Sequence, residues 1–188
     1  MKKKKVLIFI LCYKASFRLL EVFNKIPFNK NKDFNLSVLI SDDNSNDDTL
    51  NYAKKIKSTK NKVIINSNKI NLGYGAHIKK CFLFALRNKF DYAVMIHGDG
   101  QYNPTYITDI LKKFKKNTDL GAVTGSRILK GYKKATKGGM PFYKLIGNIL
   151  LTKFHNLFLN TNFSDAHSGL WGYNLKYLKS KKFLKLTD

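Results

Sequence analysis

An α/β fold, with helices on both faces of a mostly parallel sheet, follows from three observations on these 188 residues. Short runs of consecutive apolar, often β-branched residues recur, as expected of strands buried on both faces. Stretches with helical spacing separate them. Polar, glycine-bearing clusters follow several of the runs, at the strand ends where open α/β sheets bind ligands.

The elements follow in order. Val6–Cys12 reads as the first strand, although the start MKKKKVLIFILCY imitates a signal peptide; the apolar run is short and lacks a small-residue cleavage site. Ser16–Lys25 is expected to be a helix with Phe17, Leu20 and Phe23 facing inward. Leu36–Ser41 is the second strand, ending in the polar burst Asp42 to Asp48, which caps a helix over Thr49–Lys57. Lys62–Asn66 is a strand, and Gly75–Asn88 a helix with His77, Cys81 and Phe84 among its inner residues. Tyr92–His97 is the fourth strand, Pro104–Lys115 a helix opening on proline, and Gly121–Gly125 the fifth strand. A Gly/Lys-rich loop, an amphipathic helix over Pro141–Leu159 and an irregular segment at Asp165–Trp171 close the chain, which reads as one domain, residues 1–188, shortened at its C-terminal end.

Composition narrows the classes. Hydrophobic residues at 44% and aromatics at 13% exclude a disordered chain. The net charge of +23 attracts polyanions, anionic lipid or phosphorylated substrates, but the lysines are scattered among asparagines and read equally as compositional drift. No single element combines basic and aromatic residues as a nucleic-acid binder would, so no nucleic-acid partner is expected. Cys12 and Cys81 lack metal-ligand or CxxC spacing and read as buried thiols in a reducing, cytoplasmic compartment. No run is long enough to span a bilayer.

Three clusters carry chemistry. In His97-Gly98-Asp99-Gly100-Gln101 a carboxylate and an amide oxygen at i and i+2 can face one point, as a hard cation such as Mg²⁺ or Mn²⁺ requires; a simple turn capped by Asp99 fits the same spacing. Of Asp42 and Asp43, adjacent at a strand end, one can turn to a ligand and the other cap a helix, or both can form caps. Asn71-Leu72-Gly73-Tyr74-Gly75 offers backbone N–H groups at a helix start to an anion, or is a flexible helix start. The Pro141–Leu159 helix has a wide apolar face with Lys144 and Lys153 beside it, suited to a membrane interface or to packing on the sheet.

Taken together, LISDDNSNDDT, NLGYGAHIKKC, DYAVMIHGDGQYNP, GAVTGSR, KGGMPFYKLIGNILLTKFHNLFL and FSDAHSGLWGYN occur in the order and spacing of one family. The chain resembles the family 2 glycosyltransferases of the GT-A fold, particularly the dolichyl-phosphate mannosyltransferase-like branch. The resemblance implies a nucleotide-diphosphate sugar donor, a divalent cation (Mg²⁺ or Mn²⁺), an inverting displacement, and a polyprenyl-phosphate or cell-envelope glycan acceptor, with peripheral contact at the inner face of the membrane. It implies that Leu11 and Tyr13 lie along the base, that Asp43 accepts a hydrogen bond from it beside Asp42, and that Asn71, Gly73 and Gly75 line the nucleoside pocket near Lys79. Asp99 would hold the metal with Gln101 assisting, next to Gly98. His97, where the family often has aspartate, would be a metal partner or a diphosphate hydrogen-bond donor. Arg127, with Lys137, would meet an acceptor phosphate. Asp165 would take a proton from a hydroxyl acceptor, with His167 and Ser168 on the acceptor side. The opening Leu11-Cys12-Tyr13-Lys14 departs from the family's Pro-x-Tyr-Asn.

Overall fold

A computed structural model describes residues 2–59, 62–129 and 141–178. Contacts gather in two compact units, Met1–Val123 with Trp171–Asp188, and Thr124–Leu170.

The first unit is built on the sheet. Strand β1 (Lys4–Cys12) pairs in parallel with β2 (Phe34–Asp42) and with β4 (Tyr92–His97), and β2 pairs in parallel with β3 (Val63–Ser67). Strands β5 (Ala122–Thr124) and β6 (Leu170–Asn174) complete the order β3-β2-β1-β4-β6-β5. The bond from Leu175 N to Asp91 O sets the end of β6 beside the start of β4, so β6 runs against the other strands. The consecutive apolar residues of β1 are explained by cover on both faces: Val6 to Ile10 are all fully buried. Registers align Cys12 with Asp42, Leu11 with His97 and Asp42 with Ser67, so these strands end along one edge. The order also reverses at β1, whose chain crosses first to β2 and later to β4; the crevice beside such a reversal is where open sheets bind ligands.

Helices α1 (Arg18–Asn24), α2 (Thr49–Thr59), α3 (Gly73–Arg87) and α4 (Ile107–Lys116) connect the strands. Helix α4 is conventionally amphipathic, burying Ile107, Ile110, Leu111 and Phe114 while its lysines face water. The Pro104 start is a separate 3-10 turn, Pro104–Tyr106, capped by the Asn103 side chain.

Two expectations are corrected. In α1 the inner stripe is Leu19, Val22 and Phe23, whereas Phe17 and Leu20 are 56% and 38% exposed. The helix starts one residue after Phe17, which leaves that ring outside the first turn. The segment ending at Trp171 is irregular only as far as Gly169; from Leu170 it is β6. There Gly172 is required, because a Cβ would lie 2.3 Å from Ile110 Cγ2 and 2.9 Å from Phe114 Cε2.

The second unit contains α5 (Phe142–Leu159), which ends on Asn160 in the left-handed conformation. Its buried positions are Leu145, Asn148 and Thr152. Asn148 donates to Asp165, Thr152 donates to Asn148 and accepts from Ala166 N, and Asn156 bonds both the N–H and the carbonyl of Phe163. The helix turns its polar stripe inward.

Candidate functional site

A cavity of about 360 Å³ opens at the carboxyl ends of β1, β2 and β4, wholly within the first unit. It is lined by Leu11, Cys12, Tyr13, Asp43, Asn71, Gly73, Tyr74, His77, His97 and Asp99. The fold thus brings seven of the expected residues to one space: Leu11, Tyr13, Asp43, Asn71, Gly73, His97 and Asp99.

Asp43 is 3% exposed and holds the entrance of α3. Its Oδ1 accepts from Asn68 Nδ2 at 2.7 Å and Leu72 N at 2.9 Å, and its Oδ2 accepts from Gly73 N at 3.0 Å. Glycine suits position 73, where φ is +77°, a left-handed value strained for other residues. Three donors leave the carboxylate acceptor capacity toward the cavity. Asp42 turns elsewhere: it accepts from Ser45 Oγ, Ser45 N and Ser67 Oγ and does not line the cavity. The adjacent acids divide into one facing the cavity and one tying loops together.

The loop after β1 forms the rim. Lys14 and Ser16 both have positive φ, 53° and 38°, at non-glycine positions. Hydrogen bonds from the β2–α2 side hold this path: Lys14 N donates to Ser45 Oγ, and Ala15 N and Ser16 N both donate to Thr49 Oγ1. Ser16 Oγ donates to Asp47, whose other oxygen caps α2 by accepting from Thr49 N. The acidic burst after β2 caps a helix as expected and also shapes the rim.

At the end of β4, Gly98 N donates to Leu11 O, and a Cβ there would sit 2.9 Å from Cys12 Sγ; the position needs glycine for this close approach and does not line the cavity. The half-buried Asp99 follows. Its Oδ1 accepts from Gln101 N at 3.0 Å, forming the turn that spacing allowed, while its backbone carbonyl accepts from Arg18. Cavity-lining and turn-capping are both present in this one side chain. His97 Nε2 lies 3.4 Å from Tyr74 Oη, and its ring meets Tyr74 and Tyr102 edge-on. Gln101, Gly75 and Lys79 are not among the lining residues.

Among the described residues, no three His, Cys, Asp or Glu side chains are grouped to hold a metal ion. Of the two cavity carboxylates Asp43 is tied to the α3 entrance, and Asp99 fits a hard cation only where a ligand's oxygens complete the shell, as phosphates do for Mg²⁺.

Cys12, Tyr74 and His77 also line the cavity, although spacing did not single them out as site residues. Tyr74 sits between the glycines of the quoted Gly-x-Gly, which is the signal that was available. His77 Nε2 bonds Ser41 Oγ at 2.7 Å in the interior. Burial lowers its pKa from the ordinary imidazole value; Asp43 and Asp42 oppose that shift. Burial pushes the Cys12 thiol well above its usual range and Cys81 up to about 11, so neither is a thiolate nucleophile.

Arg127 and Asp165 meet within the second unit. Asp165 is fully buried and accepts from Arg127 Nε at 2.9 Å, Arg127 Nη2 at 3.1 Å, Arg127 N at 3.1 Å and Asn148 Nδ2 at 3.1 Å. Burial resists its charge, yet the bonds from Arg127 and Asn148 together hold its carboxyl below the ordinary range. Such a carboxylate is suited to positioning Arg127 and unsuited to accepting a proton. Arg127 Nη2 also donates to the carbonyl of His167, whose side chain has no part in that bond. Ser168 is buried and caps the start of β6 by accepting from Leu170 N. Lys137 lies outside the described residues.

The family model for glycosyl transferase family 2 matches residues 7–180. The chain belongs to glycosyl transferase family 2. It is 30% identical over 156 residues to an uncharacterized protein of Methanocaldococcus jannaschii, covering 79% of this chain and 64% of that one. It is 36% identical over 100 residues to the low-salt glycan biosynthesis hexosyltransferase Agl6 of Haloferax volcanii, covering 52% of this chain and 22% of that one. The fold is GT-A. It is similar to the mannosyltransferase PcManGT from Pyrobaculum calidifontis, solved with GDP-Man and Mn²⁺, at a TM-score of 0.60 and 13% identity over 96% of this chain and 48% of that one. It is also similar to glucosyl-3-phosphoglycerate synthase from Mycobacterium tuberculosis in complex with phosphoglyceric acid, at a TM-score of 0.65 and 14% identity over 93% of this chain and 58% of that one. The chain thus spans less than two thirds of the length of these relatives.

Proposed function

We propose that this chain, acting as a single domain over residues 1–188, transfers a sugar from a nucleotide-diphosphate donor by inverting displacement, within the dolichyl-phosphate mannosyltransferase-like branch. The observation that carries the reading is one cavity at the sheet's reversal point holding both an anchored carboxylate, Asp43, and a carboxylate at the end of β4, Asp99. Family membership and the GDP-Man and Mn²⁺ bound to a protein of similar fold support it.

In this reading Leu11 and Tyr13 flank the base, and Asp43 accepts one of its N–H groups. Asn71, Gly73 and Tyr74 bound the ribose, and His97 donates to the diphosphate. Asp99 holds a Mg²⁺ or Mn²⁺ ion, which when bound neutralises charge developing on the departing diphosphate. Alignment of donor and acceptor supplies much of the remaining rate. The second unit supports one class of acceptor. A hydroxyl nucleophile needs a base, and Asp165 is committed to Arg127 and Asn148. A polyprenyl phosphate is already anionic and needs none, which favours it over a glycan hydroxyl. Arg127, held by Asp165, then meets the phosphate.

The test is a thermal-shift panel of UDP-, GDP- and dTDP-linked sugars with and without Mn²⁺. One nucleotide is expected to raise the melting temperature in a Mn²⁺-dependent way, and Asp99→Ala is expected to remove the metal dependence. No shift with any donor, together with unchanged cellular activity of Asp99→Ala, overturns the reading.

A further inference from the structure

His77 stands one turn into α3, is 4% exposed, and lines the same cavity as Asp43. One of its ring nitrogens is occupied: Nε2 bonds Ser41 Oγ at 2.7 Å. The other, Nδ1, has no partner among the described residues. Every wholly buried side-chain nitrogen or oxygen among those residues has a partner, so Nδ1 is not wholly buried. The open space that His77 meets is the cavity. Sugar transfer as proposed above gives this nitrogen no task.

The chemical character of Nδ1 follows from a chain of hydrogen bonds with charged ends. Lys80 can only donate, so the atom of Asn68 that it meets is the amide oxygen. Asn68 then donates through Nδ2 to the Asp43 carboxylate at 2.7 Å. Asn66 turns its NH₂ toward that Asn68 oxygen, since an oxygen there would face another oxygen, and donates to Ser41 Oγ at 3.3 Å. The Cys81 thiol, kept protonated by burial, also bonds Ser41. Ser41 is fully buried, and its hydroxyl proton needs an acceptor. The ring nitrogen at 2.7 Å is a far better acceptor than sulfur, so His77 Nε2 accepts and the ring's own proton sits on Nδ1. The cavity therefore has an N–H donor at His77 and, at Asp43, a carboxylate that can only accept. A nucleobase edge with a carbonyl oxygen next to a ring N–H, as in uracil, thymine and guanine, complements that pair. We propose that His77 reads the nucleobase, donating from Nδ1 to a carbonyl oxygen while Asp43 takes the neighbouring N–H. The proposal rests on the sugar-transfer reading and adds to it a residue that sets which bases fit. Cytosine and adenine place an amino group where the carbonyl is required, so two donors would face each other.

The experiment is isothermal titration of the whole chain with UDP, GDP, CDP and ADP in the presence of Mn²⁺, repeated on two variants and set beside their melting temperatures. UDP or GDP is expected to bind wild type at least about tenfold more tightly than CDP and ADP, because a mispaired base leaves buried polar groups unsatisfied. An asparagine amide can take the place of Nδ1, and a glutamine amide that of Nε2. His77→Gln therefore keeps an acceptor for Ser41 and loses the cavity donor. It is expected to bind the preferred nucleotide about three- to tenfold more weakly, at a melting temperature near that of wild type. His77→Asn is expected to reverse the pattern, holding affinity within about threefold while the melting temperature falls. A role confined to packing would move affinity and stability together. That parallel loss overturns the proposal and leaves the sugar-transfer reading in place, as does binding of CDP or ADP as tight as that of UDP and GDP. If no nucleotide binds wild type, the sugar-transfer reading falls and the proposal falls with it.

Discussion

Asp99 and Asp165 are both acids that the family resemblance ties to the reaction, yet their surroundings differ sharply. Asp99 is half-buried on a cavity wall, and among the described residues its carboxylate accepts one hydrogen bond, from the backbone of its own turn. Asp165 is fully enclosed and takes four hydrogen bonds, three of them from Arg127. The contrast shows that a carboxylate's work is read from the donors it already has. One with acceptor capacity facing a cavity can bind a ligand; one already saturated organises its neighbours.

Substitution separates the two most widely in stability. Asp165→Ala strips a buried partner from Arg127 and Asn148 and is expected to cost about 3–5 kcal/mol in denaturant unfolding. Asp99→Ala, losing a single turn bond, is expected to cost no more than about 1 kcal/mol. Equal losses would break the comparison. A middle case sharpens it: Asp43 both holds the α3 entrance and faces the cavity. Asp43→Asn sets an amide NH₂ against the N–H groups of Leu72 or Gly73, so a stability loss of about 1–3 kcal/mol is expected. Isothermal titration should show nucleotide affinity falling along with it; intact affinity in a destabilised variant would make Asp43 a cap and nothing more.

The smallest effect concerns His77, which lies beside the Asp42–Asp43 pair. Its folded pKa is lowered, chiefly by burial, so the folded state binds fewer protons than the unfolded one. Stability from this group is therefore present above the unfolded imidazole value, about 6.5, and is lost as pH falls below it toward the folded pKa. Melting temperatures measured between pH 5 and 7.5 (roughly one and a half units below that value to one above) should fall at the acid end for wild type. His77→Gln should flatten that slope.

Much of the first unit was legible because buried parallel strands are unbroken apolar runs, and β1, β2 and β4 were found within about two residues of their ends. The cavity residues Asp43, His97 and Asp99 were legible for a related reason: polar residues at the ends of such runs are forced to one edge of the sheet, whereas Asn71 and Gly73 were reached through the helix-start pattern and the family resemblance. Tyr74 and His77 were missed because an aromatic or a histidine at helical spacing looks like core. Strand β6 was missed because Leu170-Trp-Gly-Tyr-Asn follows turn residues and carries a glycine, whose reason is the distant contact with Ile110 and Phe114. An apolar face of α5 was visible in the sequence, but not which side faces in: Leu145 of that face is buried, whereas Ile146, Leu150, Phe154, Leu157 and Phe158 are exposed. That depends on Asn148 and Thr152 finding Asp165 and Ala166, partners 14 to 17 positions along the chain.

The tether from Thr49 to the loop after β1 has one more consequence. A single hydroxyl on a neighbouring helix fixes Ala15 and Ser16 through their backbone, so the shape of that loop depends little on the side chains at Tyr13 and Lys14. Shape and chemical identity are thereby uncoupled at the mouth of the cavity: residues there can be exchanged while a threonine on a neighbouring helix keeps the contour unchanged.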